Sequence, residues 1–195
     1  LKQGIIVLMN GTSSSGKTSI SRELMNQKEI LFHHLSVDDF IKDFFNNKFS
    51  DIEPARELDE QVIARIMFDP LLSLYYSTIK LFSEMGLNVI VDTVIENDKW
   101  FNECHDLFFD QPTLFIGVLC SKEELNRREQ ARGDRHIGLA ASQFSKVYGN
   151  GEYDLEVNTE EMNPIECAEK ILSFIKSNKE YEGFKKLSKR NVSVS

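Results

Sequence analysis

Short β-rich apolar runs alternate with stretches of helical periodicity along this chain, the pattern of a parallel sheet wrapped by helices. Ile5–Met9 reads as the first strand, and Lys17 to about Lys28 follows as a helix. Leu31–Val37 reads as a second strand ending in Asp38 and Asp39, with Phe40–Phe45 opening another helix. Asn46–Pro54 is polar and loop-like. Leu58–Met85 carries apolar residues at helical spacing, broken by Pro70 and stopped by Gly86 in the C′ role, and so reads as two consecutive helices.

Leu87–Val91 is a compact apolar strand ending in Asp92, Asp98–Phe109 is helical in pattern, and Leu114–Leu119 is the next strand. Ser121 and Glu124 have capping-box spacing and open a helix that runs into an arginine-rich segment. Ile137–Val147 is amphipathic, and Tyr153–Val157 alternates like a fifth strand. Asn163, Pro164 and Glu166 supply an N-cap, a first-turn proline and an N3 carboxylate for a final helix to about Ser177. From Asn178 the chain turns polar and basic, which predicts a single domain over 1–178 and a basic tail over 179–195, either a short extra helix or a disordered end.

Composition narrows the partners. A length of 195 residues with 41% hydrophobic content suits one domain with a sizeable core. Thirty-one acidic against 23 basic residues give a net charge of −8, which argues against nucleic acid as a partner. Cys104, Cys120 and Cys167 lack any C-x-x-C spacing, so neither a disulfide framework nor a zinc site is indicated. No apolar stretch nears the roughly eighteen residues needed to span a bilayer, and a strand-like run begins by Gly4. The expectation is a cytoplasmic protein without a membrane partner or signal peptide, lacking a few residues before Leu1.

Candidate chemistry concentrates at the predicted strand ends, where ligands of open α/β sheets bind. Gly11, Thr12, Ser13, Ser14, Ser15, Gly16, Lys17 and Thr18 fit the pattern G-x-x-x-x-G-K-[ST] between a strand and a helix, which predicts a nucleoside triphosphate site. The two glycines are expected to take positive φ, so that backbone N–H groups and a helix N-terminus point at the phosphates. Lys17 would reach the β- and γ-phosphates, and the Thr18 hydroxyl would ligate Mg²⁺. Asp38 is placed to accept a proton from an acceptor hydroxyl, with Asp39 as its one-residue alternative or as a helix N-cap. Asp92 could hold Mg²⁺ through water or touch the acceptor, the plainer reading being a turn or cap residue before Asn97.

Arg127, Arg128, Arg132 and Arg135 crowd together in an otherwise acidic chain, which suits a lid whose guanidinium groups meet phosphate oxygens. The plainer reading is a solvated helix face with Glu123, Glu124 and Glu129 as i,i+4 partners, which Arg127 fits in particular. His33 and His34 lie on one strand and so face opposite sides, which reads as ordinary satisfied histidines. Phe40, Phe44, Phe45, Phe49, Phe68, Tyr75 and Tyr76 read as core before pocket, although the segment between the second and third strands is where an acceptor should bind. Lys185, Lys186, Lys189 and Arg190 should stay solvated.

These residues resemble the chloramphenicol phosphotransferase family. The likeness rests on Gly11–Thr18, Val37-Asp38, Val91-Asp92, the run Arg128-Glu129-x-Ala131-Arg132-Gly133-Asp134-Arg135, Gly138-x-Ala140-Ala141, Tyr153–Val157 and Ile165–Ala168. It implies a P-loop kinase fold, an α/β architecture with a five-stranded parallel sheet of order 2-3-1-4-5, flanking helices and an arginine-rich lid. It also implies ATP-dependent phosphorylation of a small-molecule hydroxyl with Asp38 as the base. The chain departs from the family pattern at Asp39, at Thr93 and across Phe44–Leu74, so the acceptor pocket transfers least.

The first functional expectation is therefore an O-phosphotransferase using ATP and Mg²⁺, with Asp38, Lys17, Arg132 and Arg135 catalytic and Arg128 and Arg132 contacting nucleotide. A nucleotide or sugar-nucleotide kinase shares every motif. Its anionic acceptor would need more cations than Lys42, Lys48, Arg56 and Arg65 supply against Asp43, Asp51, Glu53, Glu57, Asp59, Glu60 and Asp69. A non-catalytic ATP-binding switch module is the third reading.

Overall fold

The computed structural model of the chain describes residues 2–45, 68–95, 98–132, 138–148 and 152–187, with the side chains of 43–45 and 132 outside that description. Five parallel strands, β1 (Ile6–Asn10), β2 (His33–Ser36), β3 (Val89–Thr93), β4 (Thr113–Leu119) and β5 (Leu155–Asn158), pair in the order β2-β3-β1-β4-β5. The flanking helices are α1 (Lys17–Asn26), α2 (Val37–Phe45), α3 (Asp69–Glu84), α4 (Asp98–Phe108), α5 (Lys122–Arg132), α6 (Leu139–Tyr148), α7 (Pro164–Lys176) and the short α8 (Gly183–Lys186). Architecture and strand order are those the family resemblance implies.

Central β1 is buried along its whole length, and its pleat divides the core. Val7 and Met9 join Ile20 and Leu24 of α1 and Cys167, Ala168, Ile171 and Ile175 of α7 in one cluster. Ile6 and Leu8 face the other way, onto Leu72, Tyr75, Tyr76 and Ile79 of α3 and Phe101, Cys104 and Phe108 of α4. Each fully buried aliphatic side chain contributes about 1.5–3 kcal/mol, so this two-sided burial fixes β1, and with it the loop that follows.

Several boundaries differ from expectation, each for a local reason. β3 continues through Thr93 because Met9 and Asn10 of β1 pair with Asp92 and Thr93, so Asp92 sits inside the strand rather than at its end. α2 begins at Val37, which puts Asp38 and Asp39 in its first turn. The Ser36 hydroxyl accepts from Asp39 N–H at 3.4 Å and takes the capping role expected of Asp39. Pro70 lies in the first turn of α3, and the earlier helix expected from Leu58, like the loop Asn46–Pro54, falls outside the described residues. Gly86, at φ +82°, closes α3 with Leu87 N–H on Phe82 O and Gly86 N–H on Ser83 O, as its C′ assignment predicts.

At α5 the Ser121 hydroxyl accepts from Glu124 N–H, but the return bond of a capping box is replaced. Glu124 instead receives Arg127 and Arg128, while Ser121 N–H donates to Glu160. α7 carries the full expected box between Asn163 and Glu166. Beyond it, α8 buries Phe184 to 1% exposure against Phe115 and Phe108, tying residues of the basic segment into the α3–α4 side of the core. Cys104, Cys120 and Cys167 are free and buried. No helix among the described residues is long and apolar enough to cross a membrane.

Candidate functional site

The loop between β1 and α1 curls at two left-handed residues, Ser14 (φ 61°) and Gly16 (φ 97°). Gly11 does not take the positive φ expected of it; its missing side chain makes room instead. A Cβ there would stand 2.6 Å from Ser15 Oγ and 2.8 Å from Val118 O. Such a turn of successive N–H groups at a helix N-terminus favours an anion. Lys17, 7% exposed, donates from Nζ to Gly11 O and Thr12 O, both at 2.9 Å. The Ser14 hydroxyl and Asn10 Oδ1 are enclosed without a partner. Buried cation, turned backbone and spare polar atoms together suit a polyphosphate.

Next to the loop, the Thr18 hydroxyl donates to Asp92 Oδ2 at 2.6 Å, and Lys17 Nζ lies 3.9 Å from Asp92 Oδ1. Among the described residues no group of three or more His, Cys, Asp or Glu is arranged to hold a metal. One hydroxyl and one carboxylate suit Mg²⁺, which keeps waters and takes phosphate oxygens as further ligands. His34 Nε2 lies 3.9 Å from Asp92 Oδ2 and has no hydrogen-bond partner, so it is not the satisfied histidine expected. Burial lowers the His34 pKa, against the raising pull of Asp92. His33 packs edge-on against Phe82 of α3, so the two histidines do face opposite sides.

Asp38, Asp92, Lys17 and Thr18 line one cavity of about 1050 Å³ at the C-terminal ends of the strands. Ser13, Ser14, Gly16, Arg127 and Arg128 also line it. Arg128 Nη1 donates to Thr159 Oγ1 at 2.9 Å, Nη2 to Thr159 O at 2.8 Å and Nε to Glu124 at 2.8 Å. Thr159 in turn donates to Ser15 O, so the guanidinium is bonded to the loop's own support. Arg127 is exposed and paired with Glu124. The side chain of Arg132 and the whole of Arg135 lie outside the described residues.

Of the expected aromatics, Tyr75 and Tyr76 are core, Phe40 packs on Tyr75 and Phe68 lines the cavity. The side chains of Phe44 and Phe45, and all of Phe49, lie outside the description.

Sequence reading missed the clamp over the loop. Gln143 Oε1 accepts from Ser13 N–H at 2.8 Å, and Tyr148 OH accepts from Thr12 N–H while donating to Val118 O. Glu129, fully buried, accepts from Gly138 and Ala140 N–H at the start of α6. A signal existed: Ala140, Gln143 and Val147 share one buried helical stripe, and an amide in such a stripe needs a partner.

Residues 4–176 match the family profile described as "Chloramphenicol phosphotransferase-like protein". A Mycobacterium tuberculosis protein assigned, not demonstrated, as an O-phosphotransferase is 29% identical over 175 residues, 82% of this chain and 76% of that protein. The Mycobacterium tuberculosis APS kinase, solved with AMPPNP and APS, superposes with a TM-score of 0.64 and 16% identity, over 90% of this chain and 99% of that one. Shikimate kinase from Acinetobacter baumannii, in complex with shikimate, gives 0.61 and 15% over 91% and 95%. At those identities the two structures support the fold.

Proposed function

This chain belongs to the chloramphenicol phosphotransferase-like family, among the kinases and phosphotransferases, and on that premise we propose that it transfers the γ-phosphate of ATP to a hydroxyl of a small, uncharged molecule. ATP bound with Mg²⁺ would supply the electrophilic phosphoryl group. The loop N–H groups and Lys17 hold the phosphates, and Thr18 and Asp92 hold the metal. Asp38 takes the proton from the attacking hydroxyl, and Arg128, Arg132 and Arg135 offset charge on the transferring group. The free buried thiols suit a reducing cytoplasm.

The observation that carries this reading is the shared cavity: Asp38 lines the same space as Lys17, Thr18 and Asp92. General base catalysis contributes about 10²–10⁴-fold, so Asp38→Asn should lower transfer from radiolabelled ATP by that factor while ADP affinity stays within twofold. An unchanged transfer rate removes Asp38 from the role.

A further inference from the structure

The Asp92 carboxylate is approached from three sides. Its Oδ2 accepts the Thr18 hydroxyl at 2.6 Å, and its Oδ1 lies 3.9 Å from Lys17 Nζ. The third group comes from the neighbouring strand, where His34 Nε2 stands 3.9 Å from Oδ2. That nitrogen is enclosed and has no hydrogen-bond partner. A buried polar atom left unpaired costs about 1–3 kcal/mol, so its place here calls for a cause.

Strand register aims the ring. In the parallel ladder His34 pairs with Ile90 and Ser36 with Asp92, which puts these four side chains on one face of the sheet. Ile90 packs on that face with Met9 and with Leu24 of α1, the helix that also carries Thr18. His33 points the other way, onto Phe82. Ser36, level with Asp92, turns its hydroxyl to Asp39 N–H at the start of α2. His34 is left as the residue of β2 that faces Oδ2 with an uncommitted polar atom.

What such an atom can arrest is rotation of the carboxylate. The terminal torsion of an aspartate is soft, and a single donor on one oxygen leaves it free to swing. A second donor on Oδ2 removes that freedom, and closing 3.9 Å to an ordinary bond takes a shift of about 1 Å. A carboxylate beside Nε2 keeps the hydrogen on that nitrogen whether the ring is neutral or charged. The effect extends to Thr18, whose hydroxyl has one hydrogen: while it stays on Oδ2, the oxygen lone pairs remain for Mg²⁺.

We propose that His34 is a positioning residue of the metal site, its Nε2–H steadying Asp92 Oδ2 so that Asp92 and Thr18 hold Mg²⁺ in one arrangement. This deepens the phosphotransferase reading and rests on it for the identity of the ligands. Groups that orient metal ligands from behind matter by about 10–100-fold in metal affinity.

Mn²⁺ bound to the protein with ADP, followed by electron paramagnetic resonance, reads the site without catalysis. His34→Leu keeps the bulk and withdraws the donor, so it should weaken Mn²⁺ by about 10–100-fold. Its urea midpoint should be no lower than that of wild type, and its affinity for ADP in EDTA should stay within about twofold. His34→Gln restores an N–H at similar reach and should recover most of the Mn²⁺ affinity. In wild type, proton–nitrogen NMR of the imidazole should show a hydrogen-bonded Nε2–H in the ADP–Mg²⁺ complex, a reading that needs no variant to fold. Unchanged Mn²⁺ affinity in His34→Leu, an equal loss in His34→Gln, a parallel loss of metal-free ADP binding, or an Nε2 without hydrogen each overturns the inference and leaves the phosphotransferase reading standing. Selective Mn²⁺ loss in His34→Leu, with no transfer by wild type to any hydroxyl in a broad metabolite extract, would instead defeat that reading and keep His34 in its role.

Discussion

The helices on the two sides of the cavity are held by different physics. α3 and α4 are bound to the sheet by Leu72, Tyr75, Tyr76, Ile79, Phe101 and Phe108, with Tyr76 edge-on to Phe108 at 6.0 Å. α5 and α6 bury less apolar surface among the described residues, chiefly Leu125, Ala140 and Val147 with Cys120, and are placed by discrete polar contacts through Arg128, Glu129, Gln143 and Tyr148. Apolar burial is non-directional; a hydrogen bond adds less stability but confines donor and acceptor to a range of about 2.7–3.2 Å and a narrow angle. The flank beside the Gly11–Thr18 loop is the one built for position.

Substitutions can break this contrast. Tyr76→Ala on the aromatic flank should cost about 3–5 kcal/mol by urea unfolding, equally at low and high salt. A cost below about 1 kcal/mol would mean that this flank is not held by burial. Gln143→Met keeps the bulk but withdraws the acceptor from Ser13 N–H, so stability should fall by about 1 kcal/mol while ADP affinity falls severalfold. Unaltered ADP affinity would reduce the clamp to scaffolding.

The smallest effect is electrostatic. Hydrogen bonds from Arg127, then Arg128, hold the Glu124 carboxyl down to about 2, below its ordinary value near 4.5. A depressed carboxylate supports the fold above its unfolded pKa and loses that support as pH falls toward 2. Wild type should therefore lose urea resistance between about pH 4.5 and 2 more steeply than Glu124→Gln, and salt should shrink the difference. Parallel pH profiles for the two proteins would show that this pair adds nothing.

Legibility in the sequence followed range along the chain. β1 and β4 were readable to within a residue because an apolar run is a local signal, and the box from Asn163 to Glu166 because its partners are three residues apart. The end of β3 was not, since only pairing with Met9 and Asn10 keeps the polar Asp92 and Thr93 in the strand. The start of α2 hung on a choice between Ser36 and Asp39 as cap, which propensity alone does not decide. The Gly11–Thr18 loop is one contiguous motif and so is visible to local pattern reading. Its clamp joins Ser13 to Gln143 across 130 positions, and the hydrogen bond from Trp100 Nε1–H to Asp69 joins α4 to α3 by a contact no periodicity encodes.

Thr159 bonds both the Ser15 carbonyl and the Arg128 guanidinium, and its methyl carbon would be 3.3 Å from any Cβ placed on Gly16. This residue makes the loop and α5 thermodynamic partners. If the loop binds nucleotide as proposed, an effector that shifts α5 and changes nucleotide affinity must itself bind more or less tightly by the same factor when nucleotide is present.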